Sequence, residues 1–316
     1  MTRFRADLVL LTVALIWGSA FAVQRVAAQS LNTFTFNGLR FLLGGFILFP
    51  FSQFNPWYKK YQSSTDRTPS VEKSHHTPIF DRKSIFFILS AGFVLFAGSA
   101  LQQAGLRYTT AGNAAFLTTL YVVLVPIILI VFMREKIHWI VWLGVAIAIA
   151  GSLLLSTGGT LHLAPGDDLE MLASLMWALD VILVSRAVKH MDIVTFSVGH
   201  YLVAGLFNIL ISVWMPSPLG GLGTGWWTII YIGLLSTAGG YTLQALGQKY
   251  APPSDAAIFL SMEAVFAALA GYIFLSETMR PVQLAGCGLI LIAVIITQLI
   301  AVKSRKSAVL ADGYKS

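Results

Sequence analysis

Apolar residues dominate ten stretches of roughly 20 residues, at 8–27, 34–54, 84–106, 113–133, 137–155, 169–188, 193–215, 226–247, 256–275 and 282–302. As a helix, a run of that length spans a hydrocarbon core of ~30 Å. Each stretch must be helical, because an open strand edge in lipid would strand its backbone polar groups. The first is too long for a cleaved signal peptide, and nine more follow it. The pattern predicts an all-α integral membrane protein with ten transmembrane helices.

Polar residues interrupt these stretches at a repeated depth. Asn32 precedes Arg40, Asn113 precedes Tyr121, Asp192 precedes His200 and Asp255 precedes Glu263, each by eight positions. Asn and Asp are favoured helix N-caps, so each partner is expected ~12 Å into its helix, near the bilayer midplane. Trp17 and Trp177 follow Asp7 and Asp167 by ten positions, a depth of ~15 Å. Asp180 is three positions beyond Trp177, on the same helix face. Charge at that depth is costly and marks a functional site. We therefore expect a polar chamber whose substrate-binding residues are Arg40, Glu263, Trp17, Tyr121, Trp177, His200 and Asp180. Gln102 and Gln244 come late in their helices, ~27 Å from the start, and read as gate or helix-end residues.

Each assignment has a plainer rival. Arg40 can snorkel, and Glu263 can serve as its structural counter-ion. His200 can be a packing histidine, Asp180 can bond a neighbouring Ser or Thr, and Trp17, Trp177 and Tyr121 can be core aromatics. Asn32, Asn113, Asp192 and Asp255 are read as caps. No HExxH, G-x-S-x-G, P-loop or Cys/His ligand cluster occurs, so neither an enzyme motif nor a metal or cofactor site is expected. The His75-His76 pair lacks further ligands and reads as loop. Cys287 has no partner for a disulfide and reads as a small packing residue.

Composition agrees with a bilayer. The 316 residues are 56% hydrophobic and 11% charged, with a net charge of +7. With the N-terminus placed in the cytoplasm, the inside segments hold Arg3, Arg5, Lys59, Lys60, Arg67, Lys73, Arg82, Lys83, Arg134, Lys136, Arg186, Lys189, Lys249, Lys303, Arg305, Lys306 and Lys315. Only Arg25, Arg107 and Arg280 fall outside, and Arg40 lies within a span. This asymmetry satisfies the positive-inside rule. It accounts for the basic charge as a topology signal, not a nucleic-acid footprint, and puts both termini and the 55–83 linker in the cytoplasm.

The chain also repeats. LQQAGLRYTTAGNAAF at 101–116 aligns with LQALGQKYAPPSDAAI at 243–258, an offset of 142 that continues to Glu135/Glu277 and Gly144/Gly286. Upstream, an offset of 160 pairs Asp7 with Asp167, Trp17 with Trp177, Asn32 with Asp192 and Arg40 with His200. Each copy holds five spans, and an odd number inverts the second copy. The expected organisation is 1–155 as a first five-helix repeat, 156–302 as a second, inverted one, and 303–316 as a cytoplasmic tail. Inverted repeats are a recurrent plan of secondary transporters, with substrate at the midplane between the halves.

The segments LIWGSAFAVQRVAA, NGLRFLLGGFIL and LQQAGLRYTTAGNAAFLTTLYVVLVPIILIVFMREK, with the second-half echo ending FLSETM, resemble the EamA-type drug/metabolite transporters over nearly the whole chain. The resemblance implies ten helices, a bacterial-type inner (cell) membrane location, and movement of small metabolites such as amino acids, commonly outward. One departure stands out: Pro126 would bend the fourth span where the second half has Ala268. The expected function is a secondary transporter exporting a small-molecule substrate, most plausibly an amino acid, by alternating access. Arg40 would meet a substrate carboxylate, and Glu263 or Asp180 an amine or a coupling proton. Efflux of hydrophobic cations is the alternative within transport, and an intramembrane enzyme using His200 with Asp180 the alternative outside it. The lipid bilayer and, for coupling, protons are the further partners expected; oligomeric state is not legible.

Overall fold

The computed structural model describes residues 1–54, 81–109, 111–157, 165–275 and 280–296. Most of the expected linker, His75-His76, Glu277 and the 303–316 tail lie outside the described residues. Within them the protein is all helix: α1 (Arg3–Ser30), α2 (Thr33–Phe54), α3 (Arg82–Gly105), α4 (Ala111–Thr119), α5 (Tyr121–Val131), α6 (Trp139–Thr157), α7 (Asp167–Ala187), α8 (Ile193–Ser212), α9 (Leu222–Tyr231), a π-helical segment (Ile232–Tyr241), α10 (Thr242–Gln248), α11 (Pro253–Leu260), α12 (Met262–Leu275) and α13 (Pro281–Ile296). Among the described residues, seven stretches are long and apolar enough to cross a membrane: Arg3–Ser30, Thr33–Ser52, Arg82–Gly105, Ala114–Val131, Ile193–Ser212, Leu222–Gln248 and Pro253–Ala270. Trp139–Leu155 and Pro281–Ile296 are shorter apolar helices. Helix α7 carries Asp167, Asp168, Glu170, Asp180 and Arg186 and does not reach that apolar standard.

Two of the four expected caps form. Asn32 Oδ1 accepts from the backbone N–H of Phe34 and Thr35, and the Asp192 carboxylate accepts from Thr195 N–H. The other two polar residues fall inside their helices. Helix α4 starts at Ala111, two residues before Asn113, and α11 starts at Pro253, because proline suits a first helical turn. Asp255 then sits in that turn and binds Arg3 instead, with Arg3 Nη2 donating to Oδ2 at 2.9 Å. Arg3 Nε also donates to Asp7 Oδ1 at 2.8 Å, so one buried guanidinium ties the start of α1 to the start of α11.

The fourth and ninth apolar stretches are both broken, at Leu120 between α4 and α5 and at Ser261 between α11 and α12. Hydroxyls bonding back into the preceding turn accompany both breaks: Thr119 Oγ1 donates to Ala115 O at 2.7 Å and Ser261 Oγ to Ile258 O at 2.6 Å. Such bonds compete with the helical ladder and bend it. Pro126 lies inside α5, beyond the first break, and the chain interrupts its helix at matching places in both halves.

Packing is reciprocal as well. Helix α2 packs on α8, α3 on α7 as α1 packs on the α9-to-α10 stretch, and α7 touches α4 and α5 as α1 touches α11 and α12. Residue by residue, Gly45 meets Leu202 while Gly205 meets Leu42, and Gly105 meets Gly166 and Glu170 while Gly247 meets Ala6 and Leu10. These contacts interchange under the same offsets, 160 and 142, that relate the sequence halves.

Candidate functional site

Where the paired helices meet, a cavity with an empty volume of about 470 Å³ opens between them. Six of the seven residues expected to bind substrate line it: Trp17 from α1, Arg40 from α2, Tyr121 from α5, Trp177 and Asp180 from α7, and Glu263 from α12. His200, on α8, stands one layer behind. Its Nε2 is 3.0 Å from Asp180 Oδ1, an ion-pair distance without hydrogen-bond alignment. Gln102 and Gln244 also line this cavity, where the sequence placed them near opposite surfaces. The physical reason is that helical side chains lean back toward the N-terminus of their own helix. In both Gln residues that direction leads from the helix end toward the centre.

The two helix breaks serve this site directly. Tyr121 is the first residue of α5 and Glu263 the second of α12, so each follows its break at once. Tyr121 and Glu263 are neighbours in the cavity wall, and neither the Tyr121 hydroxyl nor Glu263 Oε1 has a hydrogen-bond partner among the described residues. Gly18 lets α1 pack against this turn, since a Cβ there would lie 2.8 Å from Glu263 O.

Arg40 is held but not neutralised. Its Nε donates to Asn37 Oδ1 at 2.9 Å, and Asn37 Nδ2 in turn donates to Ser99 O at 2.9 Å, anchoring the arrangement to α3. The guanidinium lies over Phe41, 4.5 Å from the ring centroid, and 5.3 Å from that of Phe36. Arg40 is 1% exposed and Nη2 has no hydrogen-bond partner among the described residues. No ion pair joins Arg40 to Glu263 or Asp180 among them. The rival reading of Glu263 as a structural counter-ion thus finds no contact to rest on.

Other polar atoms in the cavity wall share this state. Trp17 Nε1, Trp177 Nε1, Gln24 Oε1 and Gln244 Oε1 are buried without hydrogen-bond partners among the described residues. Buried polar groups are nearly always satisfied, and a cluster that is not calls for a ligand or water. The wall offers donors on Arg40 and both indoles, and acceptors on Glu263, Asp180 and the two amides.

Sequence reasoning missed the residue at the hub. Tyr241 lines the cavity, and its ring lies 4.8 Å from that of Trp17, 6.3 Å from that of Trp177 and 6.4 Å from that of His200. It closes the π-helical segment, whose extra residue per turn re-aims side chains and frequently marks functional sites. Gln24, Thr118 and Ser236, also in the wall, were likewise missed; neutral residues in an apolar run carry no depth signal. Thr118 Oγ1 accepts from Gln102 Nε2 at 3.0 Å and lies 3.5 Å from Glu170 Oε2, in the first turn of α7.

Comparison with known proteins places this fold in a class. The family model of the EamA-like transporter family matches residues 4–157 and again 165–299. The chain belongs to that family and is a multi-pass membrane protein. An uncharacterized transporter of Archaeoglobus fulgidus is 31% identical, over 94% of this chain and 87% of its own length. The threonine/homoserine exporter RhtA of Escherichia coli (strain K12) is 32% identical over 40% of this chain and 43% of its own length. A solved crystal structure superposes with a TM-score of 0.73 at 16% identity, covering 96% of this chain and 99% of the other; that likeness speaks to fold alone.

Proposed function

We propose that this protein is a secondary transporter that exports a small zwitterionic metabolite of the amino-acid class by alternating access. The observation that carries the reading is Arg40. A buried, immobilised guanidinium without an acidic partner among the described residues, in a cavity that also holds Asp180 and Glu263, is complementary to a molecule bearing one carboxylate and one ammonium group. Arg40 would take the carboxylate through its planar fork, with the Trp17 and Trp177 N–H groups as further donors. Glu263 and Asp180 would face the ammonium, and Tyr241 with the indoles would shape the side-chain pocket. The relative named as a threonine/homoserine exporter supports this substrate class.

The reading takes the chain as ten spans in two five-helix repeats, 1–155 and 156–302, inverted with respect to each other. Two tandem family matches, reciprocal helix contacts and broken helices at the cavity support it, since discontinuous helices at the repeat interface are a recurrent transporter device. The excess of Lys and Arg on one side supports cytoplasmic termini, and the family resemblance supports an inner-membrane location. Transport would run on an ion gradient, with protons the candidate coupling ion, and the protein would perform no chemistry on its substrate. Efflux of hydrophobic cations is the second reading, favoured by two carboxylates beside aromatic walls.

Thermal unfolding of the purified chain separates the two. L-Threonine or L-homoserine is expected to raise the midpoint for wild type and not for Arg40→Ala; saturation at ~100 times Kd stabilises by ~2.7 kcal/mol. A rise with ethidium and none with either amino acid would select cation efflux.

A further inference from the structure

The Asp180–His200 contact has a use that neither residue has alone. Asp180 is 1% exposed and on the cavity wall; His200 is 2% exposed and behind it. The histidine is fixed in place by stacking on Phe196, at 5.1 Å between ring centroids and 24° between planes, and by the edge of Tyr241. Asp180 has no other basic partner among the described residues. The net charge of the pair therefore depends on one proton: with His200 protonated the pair is neutral and closed on itself, and with the proton gone Asp180 presents an uncompensated carboxylate to the cavity.

The surroundings leave this proton as the variable. On α8 the neighbouring titratable group is Tyr201, whose hydroxyl is engaged with Thr242 Oγ1 at 2.9 Å. The π-helical segment contributes Tyr241, and across the cavity α2, α5 and α12 contribute Arg40, Tyr121 and Glu263. Elsewhere on α7, Asp167, Asp168 and Glu170 occupy the first turn and Arg186 the last. Helix α3 brings only Arg82 and Lys83, at its start; α4 brings none, α10 ends before Lys249, and α11 brings Asp255, held by Arg3. Among the described residues no second cation forms an ion pair with Asp180.

We infer that Asp180 and His200 form a one-proton switch in which a proton on His200 and an organic ammonium group at Asp180 exclude each other. Binding the ammonium draws Asp180 away from the imidazolium, which gives up its Nε2 proton to water; when the ammonium leaves, a proton returns. The exchange balances with no other reactant, and linkage requires that each ligand weaken the other by the same factor. This inference rests on the transporter reading above and assigns the exchange of substrate for proton to one pair, leaving Glu263 as the unswitched carboxylate of the same site.

The test is a titration of the full-length protein in micelles. Replacing His75, His76, His138, His162 and His190 by Gln leaves His200 the sole histidine, so ring-labelled histidine reports it alone. The His200 signal is followed across pH, and the midpoint of its transition is expected to change when Asp180→Asn is added. Near the midpoint, methylammonium is expected to convert the imidazolium signal to the imidazole one, and to have no effect with Asp180→Asn. A signal that keeps one form across the range, or a step indifferent to methylammonium, overturns the switch, and both readings need no Asp180 variant. A step unchanged in a folded Asp180→Asn protein overturns it too. If methylammonium acts and L-threonine does not, the amino-acid reading falls and the switch stands.

Discussion

Trp17 lies against Gly240: a β-carbon at position 240 would stand 2.6 Å from the indole Nε1. The other half of the molecule repeats the relationship. Trp177 lies against Gly98, where a β-carbon would stand 3.5 Å from the indole ring and 3.1 Å from Met176 Cβ. Positions 98 and 240 differ by 142 and positions 17 and 177 by 160, the offsets of the sequence repeat. Each half thus lends an indole to the cavity and seats it on a glycine of the other half.

The two seats differ in tolerance. Gly240→Ala is expected to push the Trp17 indole out of its place, at an overpacking cost of ~1–3 kcal/mol, and to weaken substrate binding several-fold. Gly98→Ala meets the Trp177 ring at ordinary contact distance and is expected to have the smaller effect on both. Midpoints of unfolding and substrate affinities of the two variants check the order; equal effects would mean that Trp17 is not held by position 240.

Glu263 neighbours Tyr121 and makes no contact with Arg40 that would hold it as a structural counter-ion. Glu263→Gln is therefore expected to fold with nearly the wild-type midpoint. Had it been the partner of a buried cation, its loss would cost ~3–5 kcal/mol, restored by changing Arg40 as well. As the unswitched carboxylate it should, when changed to Gln, weaken uphill flux and downhill exchange alike and leave the pH profile in place. Loss of uphill flux with exchange intact would transfer the proton to Glu263.

Much of this site was legible because depth along a helix is linear in residue number. Where a start was misjudged, as at Asn113 and Asp255, the error was only two residues or ~3 Å, so Tyr121 and Glu263 still reached the cavity. What could not be read was direction. Counting puts Gln102 and Gln244 near the surfaces, yet both line the cavity. Tyr241 escaped because the π-helical turn that aims it has no periodic signature in IGLLSTAGGY. Likewise the helix breaks at Leu120 and Ser261 coincide with hydroxyl back-bonds that leave no mark in the apolar pattern, while the conspicuous proline lies beyond the first of them.

The inverted arrangement makes a topological claim that labelling can check. Single cysteines placed in the 55–83 linker, with Cys287 replaced by Ser, are expected to resist an impermeant thiol reagent in intact cells and to react after lysis. Ready labelling in intact cells would place that linker outside and break the parity on which the inversion rests.

The central claim is that the cavity carries an unmodified zwitterion, bound by Arg40, across the membrane. Flux of labelled L-threonine into sealed vesicles holding the purified protein measures this directly, with Arg40→Ala and Arg40→Lys beside wild type. The expected result is accumulation of intact threonine by wild type, none above empty vesicles for Arg40→Ala, and partial recovery for Arg40→Lys, because a point charge replaces a bidentate fork. Wild-type flux preserved in a folded Arg40→Ala protein would contradict the account.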